Sequence, residues 1–195
     1  MRTLPRLYAI TDRRRYGANF LETVETLLKK GIKMIQLREK DLKGRELYEL
    51  ALKTREITKK YNSLLLINER FDIAVAVEAD GVHLPEESFP PGIIKRLFPE
   101  LLVGYSAHSL EGVKYAEEEG ADFVTFGPIF KTQSHPEAKP LGTLKLKEVS
   151  EQVNIPIYAL GGVTWERIKQ CYKNGAYGVA GITMFLQDGD ERADT

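Results

Sequence analysis

The sequence predicts an α/β chain closed into a (β/α)8 TIM barrel with a short or missing eighth helix. Eight short apolar or β-branched runs alternate with longer amphipathic stretches, the rhythm of parallel strands joined by helices. The chain has 195 residues, enough for one hydrophobic core and close to the lower limit for eight strand–helix units. Polar residues gather just after the apolar runs, on the side where barrels carry their chemistry.

The expected strands are Leu7–Asp12, Lys33–Arg38, Leu64–Asn68, Gly81–Leu84, Leu102–Ser106, Phe123–Gly127, Ile157–Leu160 and Gly178–Ile182. Helices are expected at Phe20–Lys30, Gly44–Tyr61, Asp72–Glu78, Gly92–Phe98, Leu110–Glu119, Leu144–Gln152 and Trp165–Asn174. In the second of these, Leu47, Leu50, Ala51, Thr54 and Ile57 recur at helical spacing while Lys53, Arg55, Glu56 and Lys59 fall elsewhere. That pattern is one apolar face on a solvated helix. After the eighth strand, residues 183–195 form a polar tail too hydrophilic for a full covering helix. Residues 1–195 therefore read as a single barrel domain whose last flank is a stub or is covered by a second subunit, so a homodimer is expected.

Lys and Arg total 28, and Asp and Glu also total 28, so there is no overall attraction for nucleic acid or an anionic membrane. The expected partners are small molecules, and any anion must be held by local design. No apolar run approaches the roughly 18 residues that span a bilayer, and no signal-type segment is visible, so a cytoplasmic protein is expected. The single Cys171 has no partner for an intramolecular disulfide and sits in a helical setting without His or acid neighbours, which reads as a packed thiol.

The densest chemistry lies in Met34-Ile35-Gln36-Leu37-Arg38-Glu39-Lys40. Alternate residues of a strand project to one side, so Gln36, Arg38 and Lys40 are placed to meet one anionic ligand. A surface network with Glu39 and Asp41 accounts for the charges but not for the inward phase of Gln36 and Arg38. After the third strand come Asn68, Glu69, Arg70 and Asp72, where helix capping explains Asn68 and Glu69 as well as a ligand site does. A carboxylate there suits Mg²⁺ bridging phosphate oxygens, with Glu86 and Glu87 as partners. His83, inside a strand, reads as a satisfied buried group, whereas His108 and His135 are open between packing and ligand contact.

Two further features point to phosphate. The Pro128–Gly142 connection, bearing hydroxyls and cations, is too long for a plain turn and reads as a ligand-covering lid. Gly161-Gly162 follows the seventh strand, where free N–H groups and close backbone approach hold a phosphate between the last two loops of many barrels. The rim thus offers a cationic and a backbone anion site, which suits a diphosphate and a monophosphate bound together. No Ser-His-Asp set, Cys-His pair, zinc spacing or P-loop competes.

Seven motifs stand in order: Tyr8-Ala9-Ile10-Thr11-Asp12, Gln36-Leu37-Arg38-Glu39-Lys40, Ile67-Asn68-Glu69-Arg70, Ala79-Asp80-Gly81-Val82-His83-Leu84, Gly104-Tyr105-Ser106-Ala107-His108, Gly127-Pro128-Ile129-Phe130 and Gly161-Gly162-Val163. Over residues 6 to 185 the chain resembles the thiamine phosphate synthase superfamily. The resemblance implies a barrel that joins hydroxymethylpyrimidine diphosphate to a thiazole phosphate with the help of Mg²⁺, releasing pyrophosphate. It implies that Gln36, Arg38 and Lys40 contact the pyrimidine diphosphate, with Asn68 and Ser106 near its diphosphate. Thr132 and Ser134 match lid hydroxyls that hold the thiazole phosphate with the backbone of Gly162, Ile182 and Thr183. The chain departs from the family pattern at three places. Glu69 stands for an aspartate, Ser88, preceded by Glu87, for a second metal-binding aspartate, and His135 for the lid lysine. Glu69 and Glu87 are accordingly the expected metal ligands. The superfamily also contains thiazole tautomerases, and a tautomerase or a non-catalytic thiazole-phosphate sensor stands as the alternative to the synthase.

Overall fold

A computed structural model describes residues 3–132 and 136–187. Its centre is a closed barrel of eight parallel strands, each hydrogen-bonded to its neighbour in sequence, with the last closing on the first. These are β1 Leu7–Ile10, β2 Met34–Leu37, β3 Leu64–Asn68, β4 Gly81–Leu84, β5 Leu102–Ala107, β6 Phe123–Phe126, β7 Ile157–Leu160 and β8 Gly178–Gly181. Closure is visible in register: Tyr8 of β1 pairs with Ala180 of β8, and Ile10 with Gln36 of β2. Because every strand runs the same way, all eight C-terminal ends open on one rim.

The helices are α1 Arg13–Tyr16, α2 Phe20–Lys29, α3 Gly44–Lys60, α4 Phe71–Ala76, α5 Pro91–Leu97, α6 Leu110–Glu118, α7 Gly142–Ser150 and α8 Ile168–Lys173. The short α1 is absent from the sequence expectation, since Arg13-Arg14-Arg15 shows no apolar period. It forms because Asp12 caps it, the carboxylate accepting from the Arg14 amide at 3.1 Å. Helix α4 closes at Ala76, short of the expected Glu78, which turns to φ +52°. The expected Trp165–Asn174 helix divides into a 3-10 turn, Trp165–Arg167, and α8. After β8 the described chain holds only the 3-10 turn Met184–Leu186, in keeping with a short eighth helix.

Two apolar layers hold these elements. Inside the barrel, Tyr8, Ile10, Met34, Leu66, Phe123, Tyr158 and Ala180 pack with Leu4, with the rings of Tyr8, Phe123 and Tyr158 meeting edge-on. At the N-terminal end the Tyr158 hydroxyl donates to Pro5 O and the Tyr177 hydroxyl to Leu4 O, both at 2.5 Å. The bottom is therefore stoppered by the chain's own first residues. Between strands and helices, Ile35, Leu65, Val82 and Val103 meet Val24, Ala51, Ile94 and Ile168, each large side chain contributing about 1.5–3 kcal/mol by burial. Cys171 is fully buried in this layer, and burial pushes its thiol up to about 11, so it is a packed thiol.

One device recurs beneath β4 and β6. Asp80 accepts from the Leu65 amide at 2.9 Å and from Arg55 at 2.6 Å, while Asp122 accepts from the Val103 amide at 2.7 Å and from Lys95 at 3.0 Å. Each carboxylate ties a strand to its neighbour and to a helix at the end away from the open rim. A shallow hollow of about 240 Å³ also lies at that end, lined by Thr3, Leu4, Pro5, Leu7, Gly31 and Lys33. Its one cation, Lys33, already donates to Tyr61 O at 2.8 Å.

Candidate active site

The open rim is floored by polar side chains from five strands. Gln36 donates from Nε2 to the Tyr8 hydroxyl at 2.9 Å, and that oxygen lies 3.3 Å from Nδ1 of His83. On the other side of the ring, His83 Nε2 lies 3.0 Å from Ser106 Oγ and 3.4 Å from Thr125 Oγ1. Gln36, Tyr8, His83 and Thr125 are all buried, while Ser106 is half-buried. Burial, helped by the nearby positive charge of Arg38, pushes His83 down to about 3, so the ring is neutral. Burial likewise holds the Tyr8 phenol well above its ordinary value. His83 is thus a satisfied buried group, as the sequence suggests, but its partners reach the rim.

Above this floor stands Arg38, half-buried just beyond the end of β2, and then Lys40, which is exposed. Neither cation has an ion-pair partner among the described residues. Their acidic neighbours are committed elsewhere. Glu39 is buried, accepts from Thr11 Oγ1 at 2.7 Å and from the Arg13 amide at 3.0 Å, and so ties α1 to the end of β2. Asp41 pairs with Arg13 at 2.8 Å. Nearby carboxylates that pair with other arginines leave Arg38 and Lys40 without a carboxylate partner among the described residues. Gln36 is less available than the strand's phase suggests, because its amide nitrogen is spent on Tyr8 inside the barrel.

The residue that follows β3 is tied to β4, since the Glu69 amide donates to His83 O at 2.8 Å. Helix α4 has no side-chain cap, which removes capping as the explanation for Asn68 and Glu69. Glu69 sits exposed at φ +61°, a backbone state that costs a non-glycine residue energy and persists where surroundings demand it. Asp72 is held below the usual carboxylate range by a two-point pair with Arg70, at 2.8 and 2.6 Å. Glu86 and Glu87 are exposed, and Ser88 Oγ is buried without a hydrogen-bond partner. No group of three His, Cys, Asp or Glu suited to a metal occurs among the described residues. The Glu69 and Glu87 carboxylates, in no hydrogen bond or ion pair among the described residues, and the Ser88 hydroxyl fit a hard cation only where substrate oxygens complete its shell, the ordinary habit of Mg²⁺.

Across the rim the site is built from backbone. Ile129 N donates to Leu160 O at 2.8 Å and Phe130 N to Gly161 O at 3.0 Å, so the start of the β6–α7 connection lies along the end of β7. Gly161 and Gly162 have φ of +92° and +63°. A Cβ on Gly162 would sit 2.4 Å from Lys131 O, and one on Gly161 would sit 2.6 Å from Pro128 Cβ. These glycines are therefore required by the chain's own loop, a closer reason than the ligand approach inferred from sequence. Arg167 donates to Gly162 O at 2.7 Å and lies 4.6 Å above the Phe130 ring, pinning the turn from outside. The amides of Gly162, Ile182 and Thr183 donate to no carbonyl among the described residues, which leaves three donors at the open rim. Thr132 is half-buried at the end of the described loop, whereas Ser134 and His135 lie outside the described residues. His108 donates from Nδ1 to Gly127 O at 2.6 Å, joining the ends of β5 and β6.

The rim therefore brings Gln36, Arg38, Lys40, Asn68, Glu69, Glu87 and Ser106 to one side and Thr132, Gly162, Ile182 and Thr183 to the other. The thiamine monophosphate synthase family model matches residues 7–185. The chain belongs to that family. It is 73% identical over 184 residues to an Aquifex aeolicus protein named "Putative thiamine-phosphate synthase 2", covering 94% of this chain and 99% of the relative. It is 44% identical to the thiamine-phosphate synthase of Caldanaerobacter subterraneus, covering 97% of this chain and 89% of that one. The solved structure of thiamine phosphate pyrophosphorylase from Pyrococcus furiosus superposes with a TM-score of 0.85 at 35% identity, covering 97% and 91% of the two chains. The structure adds Tyr8, Thr125 and Arg167 to the residues that the sequence singled out. A tyrosine and a threonine inside apolar strands look like core, and an arginine at a helix start looks solvated.

Proposed function

We infer that the protein is a transferase of thiamine biosynthesis, joining hydroxymethylpyrimidine diphosphate to thiazole phosphate to give thiamine phosphate and pyrophosphate. The observation that carries this reading is the rim itself: two cations without an ion-pair partner and three amides that donate to no carbonyl, both counted among the described residues, follow strand ends that open on one rim, in a chain of this family. Arg38 and Lys40 bind the diphosphate, Asn68 and Ser106 lie beside its oxygens, and Gln36 lies beneath as part of the floor. Thr132, Ser134, His135 and the backbone of Gly162, Ile182 and Thr183 take the thiazole monophosphate.

The bond from the pyrimidine methylene carbon to the diphosphate oxygen breaks, and its electron pair leaves with pyrophosphate. The electron-rich pyrimidine stabilises the resulting cation, and the thiazole nitrogen donates its lone pair to form the new C–N bond. No residue needs to act as a nucleophile. Arg38, Lys40 and Ser106 stabilise charge growing on the leaving group, and the opposite amides hold the acceptor in line. Glu69 and Glu87 would hold Mg²⁺ jointly with the diphosphate, where the ion neutralises phosphate charge. No helix among the described residues is long and apolar enough to cross a membrane.

The test is to supply both phosphorylated precursors with Mg²⁺ and measure thiamine phosphate. Turnover of the thiazole carboxylate phosphate alone, without metal or pyrimidine, would replace the synthase with a tautomerase. Tight thiazole phosphate binding with both assays silent would leave a sensor.

A further inference from the structure

We propose that Tyr8 and His83 are positioning residues that act through Ser106, turning its hydroxyl proton outward so that it donates to the leaving diphosphate. This rests on the synthase reading for its ligand but on proton accounting for its direction. The Tyr8 oxygen is fully buried and has two partners among the described residues, Gln36 Nε2 and His83 Nδ1. Gln36 Nε2 brings hydrogens of its own, so the one proton of Tyr8 has Nδ1 as its acceptor. A neutral imidazole whose Nδ1 accepts carries its hydrogen on Nε2. Nε2 lies 3.0 Å from Ser106 Oγ, within ordinary hydrogen-bond range, and more remotely 3.4 Å from Thr125 Oγ1. Ser106 therefore accepts from inside the barrel, and its own proton has no other acceptor among the described residues. Ser106 is also the half-exposed member of an otherwise buried chain, so the chain can deliver a donor only at the rim.

The consequence concerns when the donor must be ready. A serine hydroxyl facing an open mouth rotates freely and has to be oriented during the reaction. One that already accepts a bond from His83 is oriented before charge develops, the condition under which a fixed dipole helps the transition state most. The mirror arrangement, with hydrogen on Nδ1 and Ser106 donating inward, requires the Gln36 amide reversed and gives the leaving group an acceptor instead.

Two measurements on the intact protein decide between them. Nitrogen-15 spectra of the His83 ring should show Nε2 protonated and Nδ1 bare; the opposite tautomer overturns the proposal whatever the enzyme's activity. In the two-substrate assay, Tyr8→Phe should lower kcat about tenfold with KM for thiazole phosphate unchanged, the scale of one charge-assisted hydrogen bond. On the Ser106→Ala background Tyr8→Phe should cost nothing further, and independent, multiplying losses overturn the proposal. Thermal melts identify any variant that fails to fold, and His83→Asn then replaces Tyr8→Phe in the same cycle. Should the assay be silent for the native protein, the synthase reading falls first, and the same cycle is read as calorimetric affinity for inorganic pyrophosphate.

Discussion

The two halves of the rim solve the same problem with different materials. From β1 to β5 the mouth is built of side chains: a buried chain from Gln36 to Ser106 below, and Arg38 and Lys40 above. From β6 to β8 it is built of backbone, with glycines that let one loop lie against another and amides that donate to no carbonyl among the described residues. Anion binding by side chain depends on charge and protonation, whereas binding by backbone depends on shape. The two halves should therefore fail under different perturbations.

Acid is the largest of these for the side-chain half. The unfolded His83 imidazole takes a proton near its ordinary value, 6.5, but in the fold burial delays this to about 3. Between those values the unfolded chain binds more protons, so stability falls as pH drops through the window, by about 1.4 kcal/mol per unit, and levels off below it. Urea titrations of the native protein from pH 7 to pH 4 should show this slope, and His83→Gln should flatten it. An unchanged slope in the variant would assign the acid sensitivity to other groups.

Next in size is Arg38→Ala. A half-buried guanidinium without a carboxylate partner among the described residues gives the fold little, so its loss should leave the melting temperature within about 2 °C. If Arg38 neutralises the leaving group, kcat/KM for the pyrimidine diphosphate should fall about 10²–10³-fold. A fall in stability with activity intact would reverse the assignment and make Arg38 a structural cation. Gly162→Ala probes the other half and should do the opposite. Its Cβ meets Lys131 O at 2.4 Å in a left-handed backbone, so about 2–4 kcal/mol of stability should be lost through crowding and strain. In whatever fraction remains folded, affinity for thiazole phosphate should drop more than affinity for the pyrimidine diphosphate. Equal loss of both would show that the halves are not separable.

How legible each half is in the sequence follows from the same division. The barrel shows itself through eight apolar runs and their spacing, because strands buried on both faces need continuous hydrophobic sequence. Arg38 and Lys40 announce themselves because charges at a strand's end are poor core material. The chain from Gln36 to Ser106 does not, because Tyr8 and His83 come from strands far apart in sequence and each alone reads as packing. The glycine pair is visible but its cause is not. That Gly161 and Gly162 yield to Pro128 and Lys131 depends on a loop more than thirty residues upstream, and no local pattern records it. Helix α1 escapes for a simpler reason: four residues held by one Asp12 cap carry no periodicity to detect.

The smallest effect separates the two cations from each other. Lys40 is exposed, so water and salt screen its attraction for a diphosphate, whereas Arg38 is partly withdrawn from both. Lys40→Ala should lower kcat/KM only about three- to tenfold at low ionic strength, and most of that loss should vanish near 0.5 M salt, where the screening length is a few ångströms. The loss in Arg38→Ala should persist under the same conditions, because a charge in contact with its ligand excludes the ions that would screen it. If the Lys40 defect were instead independent of salt, the lysine would be making a desolvated contact in the bound state. The loop after β2 would then have to close over the diphosphate, placing Lys40 beside Arg38 rather than leaving it as a distant attractor.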